Sequence, residues 1–369
     1  MKVLITGAGG FVGKNLCVRL AELDQYEVMT FERGQSEVEL AALVDKADWI
    51  FHLAGINRPQ NPHEFQEGNV DLTEKLCTLV EQSGRQIPLI LTSSTQSQLD
   101  NDYGKSKLAA EKLLLALKQR SNCPVFIYQL PNVFGKWSRP NYNSAVATFC
   151  HNIARELPIT IHNPDATVKL VYIDDVIDAW IDLLHNNHSQ LPSYQSISPV
   201  YDTTVGEIAQ IIYGFKDSIQ SGITLPVGTG LTRALYSTYL SFLPTDKFAY
   251  NLVKHEDPRG VFVEMLKTPD SGQFSFFTAH PGITRGGHYH HTKTEKFLVI
   301  KGTAKYRFRH IVTSEYYELI VDGTNPTVVE TIPGWSHDIT NIGDDELVVM
   351  LWANEIFDRQ KPDTINFKI

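Results

Sequence analysis

The stretch Thr6-Gly7-Ala8-Gly9-Gly10-Phe11-Val12-Gly13 constrains the fold of this chain more than any other. It follows a short apolar run at residues 3–6 and opens a predicted helix at 12–23. In that strand–loop–helix setting the glycines have separate tasks. Gly7 permits the tight turn, Gly10 lets the backbone approach a pyrophosphate, and Gly13 lets the helix pack closely on the strand. The helix N-terminus adds free N–H groups and positive potential for phosphate oxygens. A dinucleotide is therefore expected at this turn, held by Gly7, Gly10, Phe11, Val12 and Gly13.

The rhythm around the loop gives the fold class. Apolar runs at 3–6, 28–31, 49–53, 89–92 and 125–130 alternate with predicted helices at 12–23, 72–82 and 103–119. This is the βαβ pattern of a doubly wound parallel sheet. From about residue 255 short apolar segments (274–278, 296–300, 306–310, 316–321 and 347–352) are separated by Gly, Asp or Pro turns. That part reads as an antiparallel sandwich or small barrel. The expectation is α/β plus all-β, with a Rossmann-like domain over 1–245 and a β-barrel over 246–369.

At 369 residues two such domains fill the chain. A net charge of −9 argues against a nucleic-acid partner. The longest apolar runs are too short to span a membrane, and Met1-Lys2-Val3-Leu4-Ile5 is too short an apolar core for a signal peptide. Cys17, Cys77, Cys123 and Cys150 show no paired spacing and read as thiols in a reducing cytoplasm.

Two residues at the end of the second strand divide the cofactor cue. Glu32 suits a ribose 2′-hydroxyl, whereas Arg33 suits a 2′-phosphate. The positive charge of Arg33 favours NADPH. In Tyr103-Gly104-Lys105-Ser106-Lys107, Tyr103 and Lys107 stand four apart and project from one helix face. A free phenol is a poor proton donor or acceptor at neutral pH, and a neighbouring ammonium is expected to bring its pKa down. Ser94, in Thr92-Ser93-Ser94-Thr95, is placed to hydrogen-bond a substrate oxygen.

This half resembles the extended short-chain dehydrogenase/reductase family, which acts on nucleotide sugars. The resemblance rests on the glycine loop, HLAG at 52–55, TSST at 92–95, YGKSK at 103–107, PNVFG at 131–135 and VYIDDV at 171–176. It implies that Tyr103 is the proton donor, Lys107 its partner and Ser94 the third member. It further implies that Leu53 and Ala54 border the cofactor and that Asn132 lies near the sugar diphosphate. Asn69 matches the family's asparagine in the following helix. Family dehydratases carry an Asp-Glu pair where this chain has Thr95-Gln96. Neither residue is a carboxylate, so carbonyl reduction is expected and dehydration is not.

Seven of the thirteen histidines lie between His255 and His337. His288, His290 and Glu295, spaced between Gly282 and Gly302, resemble the first cupin motif. His288 and His290 are two apart and face one side of a predicted strand. His337 completes three imidazoles and one carboxylate, although Pro333 sits directly before Gly334, where the cupin motif usually has one more residue. Such a set suits Zn²⁺, Fe²⁺, Mn²⁺ or Ni²⁺. Zinc is expected, because the nicotinamide already supplies redox chemistry. His291, Asp338, Lys296 and Tyr306 are open candidates for an acid or base nearby.

The two domains in this order, with PNVFGKW at 131–137, PNYNS at 140–144 and HHTKTEKFLV at 290–299, resemble the bacterial CapF family over the whole chain. The resemblance implies a cytoplasmic homodimer acting on a UDP-linked 2-acetamido-2,6-dideoxy-4-hexulose. It implies C3 epimerisation in the cupin and NADPH-dependent C4 reduction in the other domain. The product would be UDP-N-acetyl-6-deoxy-L-talosamine, a precursor of UDP-N-acetyl-L-fucosamine for capsule or O-antigen. Three alternatives remain: a reductase whose cupin only binds or dimerises, an NAD-dependent nucleotide-sugar 4-epimerase, and a chain whose cupin is a metal-dependent oxygenase.

Overall fold

The computed structural model describes residues 1–61, 63–186 and 191–369. The chain divides into two compact units. One comprises 1–212 with 234–243, the other 213–233 with 244–369.

Among the described residues, the first unit holds strands β1 (Lys2–Thr6), β2 (Glu27–Phe31), β3 (Trp49–His52), β4 (Leu89–Ser94), β5 (Val125–Leu130), β6 (Asn132–Phe134), β7 (Thr167–Tyr172), β8 (Tyr194–Gln195) and β9 (Tyr201–Thr204). Six of them form a parallel sheet in the order β2-β1-β3-β4-β5-β8. Helices cover a parallel sheet on both faces, so its strands are apolar without alternation. The four residues of β3 are all buried, as are Val3 to Thr6 of β1. Leu4, Ile50, Leu89 and Ile127 join Leu76, Leu114 and Leu117 from the helices in one core.

The chain leaves β1 for β2 on one side, then crosses to β3 on the other. That reversal opens a crevice beyond the carboxyl ends of β1 and β3, the place where open α/β sheets bind ligands. The glycine loop fills the first of these ends and 53–55 the second. The predicted helices are present at Phe11–Ala21, Leu72–Gln82 and Asp102–Ser121. Asn101 caps the last of these, its Oδ1 accepting from Gly104 N at 2.7 Å. Further helices form at Ala145–Ala154, Ile173–His185, Val205–Ser221 and Gly230–Ser241; the second buries Ile173, Val176, Ile177, Trp180 and Ile181 at helical spacing.

The second unit is antiparallel. Its strands are β10 (Lys254–Asp257), β11 (Gly260–Thr268), β12 (Gly272–Ala279), β13 (Thr284–Tyr289), β14 (Glu295–Lys301), β15 (Thr303–His310), β16 (Tyr316–Asp322), β17 (Val328–Glu330), β18 (Trp335–Asn341), β19 (Leu347–Ala353) and β20 (Ile365–Asn366). They form two sheets, β10-β11-β12-β19-β14-β17 and β16-β15-β18-β13-β20. Here burial alternates, most clearly along β12 and β15, because one face of each sheet meets the core and the other meets water. Phe277, Phe297, Tyr306, Phe308, Ile339 and Val349 form that core. His288 lies on β13, but His290 stands one residue beyond its end. The strand expected to carry both histidines therefore carries only the first.

Candidate functional site

The crevice of the first unit holds a cavity of about 690 Å³, within the usual range for a small-molecule or cofactor site. Gly7, Gly10, Phe11, Val12, Gly13, Leu53, Ser94, Tyr103, Lys107 and Asn132 all line it. The glycine loop is shaped by close backbone approaches. A Cβ on Gly13 would strike the Gly7 carbonyl and lie 2.7 Å from Ala8 Cα. Gly7 has φ +72°, and a Cβ there would come 2.8 Å from Ala54 Cα. Ala54 thus backs the loop and does not line the cavity. Glu32 bonds the loop, accepting from Gly9 N at 2.6 Å. Arg33 is exposed at the end of β2 and is also absent from the cavity wall.

A buried polar network fixes the floor. The Thr73 hydroxyl donates to Asn69 O at 2.7 Å, so it accepts from His52 Nε2 at 2.9 Å. His52 Nδ1 is then the acceptor for the Thr6 hydroxyl at 2.7 Å. Burial, with the Lys107 charge adding to it, lowers His52 to about 3, so the ring stays neutral. Asn69 receives Ile56 N on Oδ1 at 2.7 Å and donates from Nδ2 to Ser106 Oγ at 2.9 Å. It ties the turn after β3 to the helix bearing Tyr103 and Lys107.

Lys107 Nζ lies 5.9 Å from the centre of the Tyr103 ring and donates to Thr92 O at 3.1 Å. A Cβ on Gly55 would come 3.1 Å from Nζ, so Gly55 keeps that path open. The electrostatics differ from the expectation of a lowered phenol. Burial raises the Tyr103 pKa, with a hydrogen bond from Ser94 opposing it. Burial lowers Lys107 to about 8, with Glu111 opposing that shift. Desolvation is the largest influence on both groups. Asn132 borders the cavity with its Nδ2 bonded to Lys169 O at 3.1 Å. Asn57 and Arg139, not singled out by sequence, form part of the wall together with Tyr142 of the PNYNS stretch, which donates to Asn57 Oδ1 at 2.9 Å.

In the second unit His288, His290, Glu295 and His337 converge. One ligand atom from each lies within 4.8 Å of the others. Glu295 Oε2 is 3.2 Å from His290 Nε2 and 3.4 Å from His337 Nε2, and Oε1 is 2.7 Å from Lys293 Nζ. His290 Nδ1 donates to Asp363 O at 2.5 Å. In the neutral ring Nε2 therefore presents a lone pair to a carboxylate. Among the described residues, neither nitrogen of buried His337 has a hydrogen-bond partner. Facing lone pairs with an orphaned imidazole beside them fit a shared divalent cation. Burial pushes Glu295 up, but the groups around it, the Lys293 ammonium among them, outweigh that and hold it ionised. Burial and neighbouring His337 lower His288 to about 4, leaving it neutral as a ligand must be.

Asp363 orders the segment leading to Glu295. Its carboxylate accepts from the backbone N–H of His291, Thr292 and Lys293 at 2.8–2.9 Å. The four acid–base candidates separate clearly. His291 is exposed, and exposed Lys296 pairs with Glu330. Asp338 is buried but gripped by Arg307 through contacts of 2.9 and 2.6 Å. Tyr306 is 1% exposed, and its hydroxyl has no partner among the described residues.

A glycine loop at the switch point, with a serine, tyrosine and lysine on the same cavity, defines a nicotinamide-dependent enzyme of the short-chain type, here followed by a cupin-like barrel. The NAD dependent epimerase/dehydratase family matches residues 3–195, and the polysaccharide biosynthesis C-terminal domain matches 255–365. UDP-2-acetamido-2,6-beta-L-arabino-hexul-4-ose reductase of Pseudomonas aeruginosa is 60% identical over 364 residues, covering 99% of this chain and 98% of its own. The crystal structure of the capsular polysaccharide assembling protein CapF from Staphylococcus aureus matches with a TM-score of 0.92 and 40% identity over 100% of both chains. UDP-glucuronic acid 4-epimerase from Bacillus cereus, solved with NAD, shares the fold alone, at a TM-score of 0.56 and 18% identity over 66% of this chain and 98% of its own. The chain belongs to the NAD dependent epimerase/dehydratase family and, within it, to the CapF family.

Proposed function

We propose that this chain converts a UDP-linked 2-acetamido-2,6-dideoxy-4-hexulose in two steps. Residues 246–369 epimerise C3, and residues 1–245 then reduce the C4 ketone, giving UDP-N-acetyl-6-deoxy-L-talosamine. The enzyme would act as a homodimer in the cytoplasm, supplying a precursor of UDP-N-acetyl-L-fucosamine. The observation that carries this proposal is the presence, in one chain, of Ser94, Tyr103 and Lys107 on the glycine-loop cavity and of the cluster His288, His290, Glu295 and His337. The P. aeruginosa relative, named as a reductase of this type of sugar, supports the choice of substrate.

Gly7, Gly10, Phe11, Val12, Gly13 and Leu53 would hold NADPH, with Ala54 backing the loop and the exposed Arg33 offering its charge to a 2′-phosphate. NADPH supplies the hydride for the C4 carbon. Ser94 orients the carbonyl oxygen, and Tyr103, kept protonated by its burial, gives that oxygen its proton. Lys107 holds positive charge beside the ring and against the nicotinamide ribose. Asn132 orients the diphosphate. In the barrel the four ligands would hold Zn²⁺, which supplies Lewis acidity toward a ketone. A C4 ketone acidifies C3–H, so that proton can leave to solvent and return on the opposite face. Reduction then traps the epimer, since the alcohol no longer enolises.

Tyr103→Phe removes the proton donor but leaves the barrel ligands intact. We expect NADPH oxidation to fall by about two to four orders of magnitude while deuterium from D₂O still enters C3. Oxidation persisting at the wild-type rate would remove Tyr103 from its role. Comparing NADPH with NADH in wild type and Arg33→Ala tests the cofactor preference, which Arg33→Ala should erode.

A further inference from the structure

Buried polar atoms without partners are rare in native folds, because each costs its full desolvation. Two such donors, the Tyr306 hydroxyl and Arg285 Nη2, line one cavity of about 130 Å³ together with His288, Glu295 and His337. Their placement follows from sheet register. Arg285 on β13 and Tyr306 on β15 both stand opposite Ile339 of the intervening β18. Residues paired across a sheet point to the same face, so the two donors form one row facing the cavity. His337 lies two residues from Ile339 along β18, on that same face, and pairs with His288. The donor row and the imidazole row are therefore adjacent.

A bulge makes this possible. Arg285 and His288 are three apart, which in a regular strand would send them to opposite faces. The register shifts between Gly286 and His288, where Gly286 and Gly287 have φ +94° and +83°. The extra residue brings both side chains inward. Arg285 is then fixed by two contacts: Nε donates to Thr278 O at 3.0 Å, and the guanidinium lies 5.3 Å from the centre of the Phe277 ring. Nη2 is left without a partner among the described residues.

We propose that Tyr306 and Arg285 form a two-donor site that takes the C4 carbonyl oxygen of the keto sugar and holds the negative charge it gains when C3 is deprotonated. This rests on the C3 epimerisation proposed above. In that step the C3–H electron pair becomes the C3=C4 bond, the C=O π pair moves to oxygen, and the proton passes to solvent water. Return of a proton to the opposite face reverses each shift. Donors already in place around a developing oxyanion need no reorganisation when charge appears. Burial raises the Tyr306 phenol, so it stays protonated and able to donate.

The test measures deuterium uptake at C3 from D₂O, without NADPH, for wild type, Tyr306→Phe and Arg285→Gln. Metal content and melting temperature are followed in parallel. Loss of one oxyanion donor should cut the exchange kcat by about a hundredfold, with KM little changed and metal still bound. Tyr306→Phe should melt no lower than wild type, because it removes an unpaired buried hydroxyl. Exchange at the wild-type rate in a metal-loaded Tyr306→Phe overturns the proposal, as does loss of metal from either variant, which would make these residues supports of the cluster. Absence of exchange in wild type overturns the epimerase reading itself.

Discussion

Lys107 and His52 show what burial does to single residues in the first unit. Lys107 is lowered to about 8, so it is an ammonium at neutral pH and loses its charge as pH rises through that value. If the ammonium supports reduction, kcat/KM for the keto sugar should fall above about pH 8. Lys107→Arg, charged throughout that range, should retain whatever activity it has to higher pH. A pH–rate profile checks both. His52 works through stability. Its folded value of about 3 lies below the ordinary imidazole value, so the folded state resists protonation. The stabilisation is complete above about pH 6.5 and is lost progressively as pH falls toward 3. At roughly 1.4 kcal/mol per unit, the loss reaches several kcal/mol. Melting curves should therefore show a steep acid slope that His52→Gln flattens, with the variant less stable at pH 7.

At the scale of elements, the devices that matter join segments far apart in sequence. Asp363 orients His290 through its carbonyl and orders 291–293 through its carboxylate. Asp363→Ala keeps the carbonyl but frees the segment leading to Glu295. By analogy with other second-layer supports, metal affinity should fall by about 10–100-fold, measured by chelator competition. This distance also explains what could be read from sequence. Tyr103 and Lys107 share one helical turn, and His288, His290 and Glu295 fall within eight residues, so local spacing revealed both groups. Asp363 lies 73 residues from His290, and nothing in its neighbourhood marks it. The Gly286–Gly287 bulge and the inward turn of Arg285 depend on pairing with β18, which spacing along one strand does not disclose. For the same reason the two-residue spacing places His290 on a strand that in fact ends at Tyr289. Strand β11 has an irregular burial pattern, with neither the continuous apolar run of β3 nor the alternation of β12.

At the scale of the whole molecule, the two motif sets were legible separately, and it was their combination that pointed to one pathway of chemistry. The pKa values were less legible. The Tyr–Lys spacing predicted a lowered phenol, but burial of both groups dominates. The acidic net charge does not oppose anionic ligands, since phosphates would be met locally by the glycine loop and its helix N-terminus. On the proposed function, one ketone serves both steps, first acidifying C3 and then accepting hydride at C4. The most direct measurement is NMR of the authentic UDP-2-acetamido-2,6-dideoxy-4-hexulose incubated with the full chain in D₂O. Without NADPH, deuterium should enter C3 and the ketone persist. With NADPH, one C4 alcohol of inverted C3 configuration should accumulate, carrying deuterium at C3. A C4 alcohol of unchanged C3 configuration, free of deuterium, would contradict the account and leave a reductase alone.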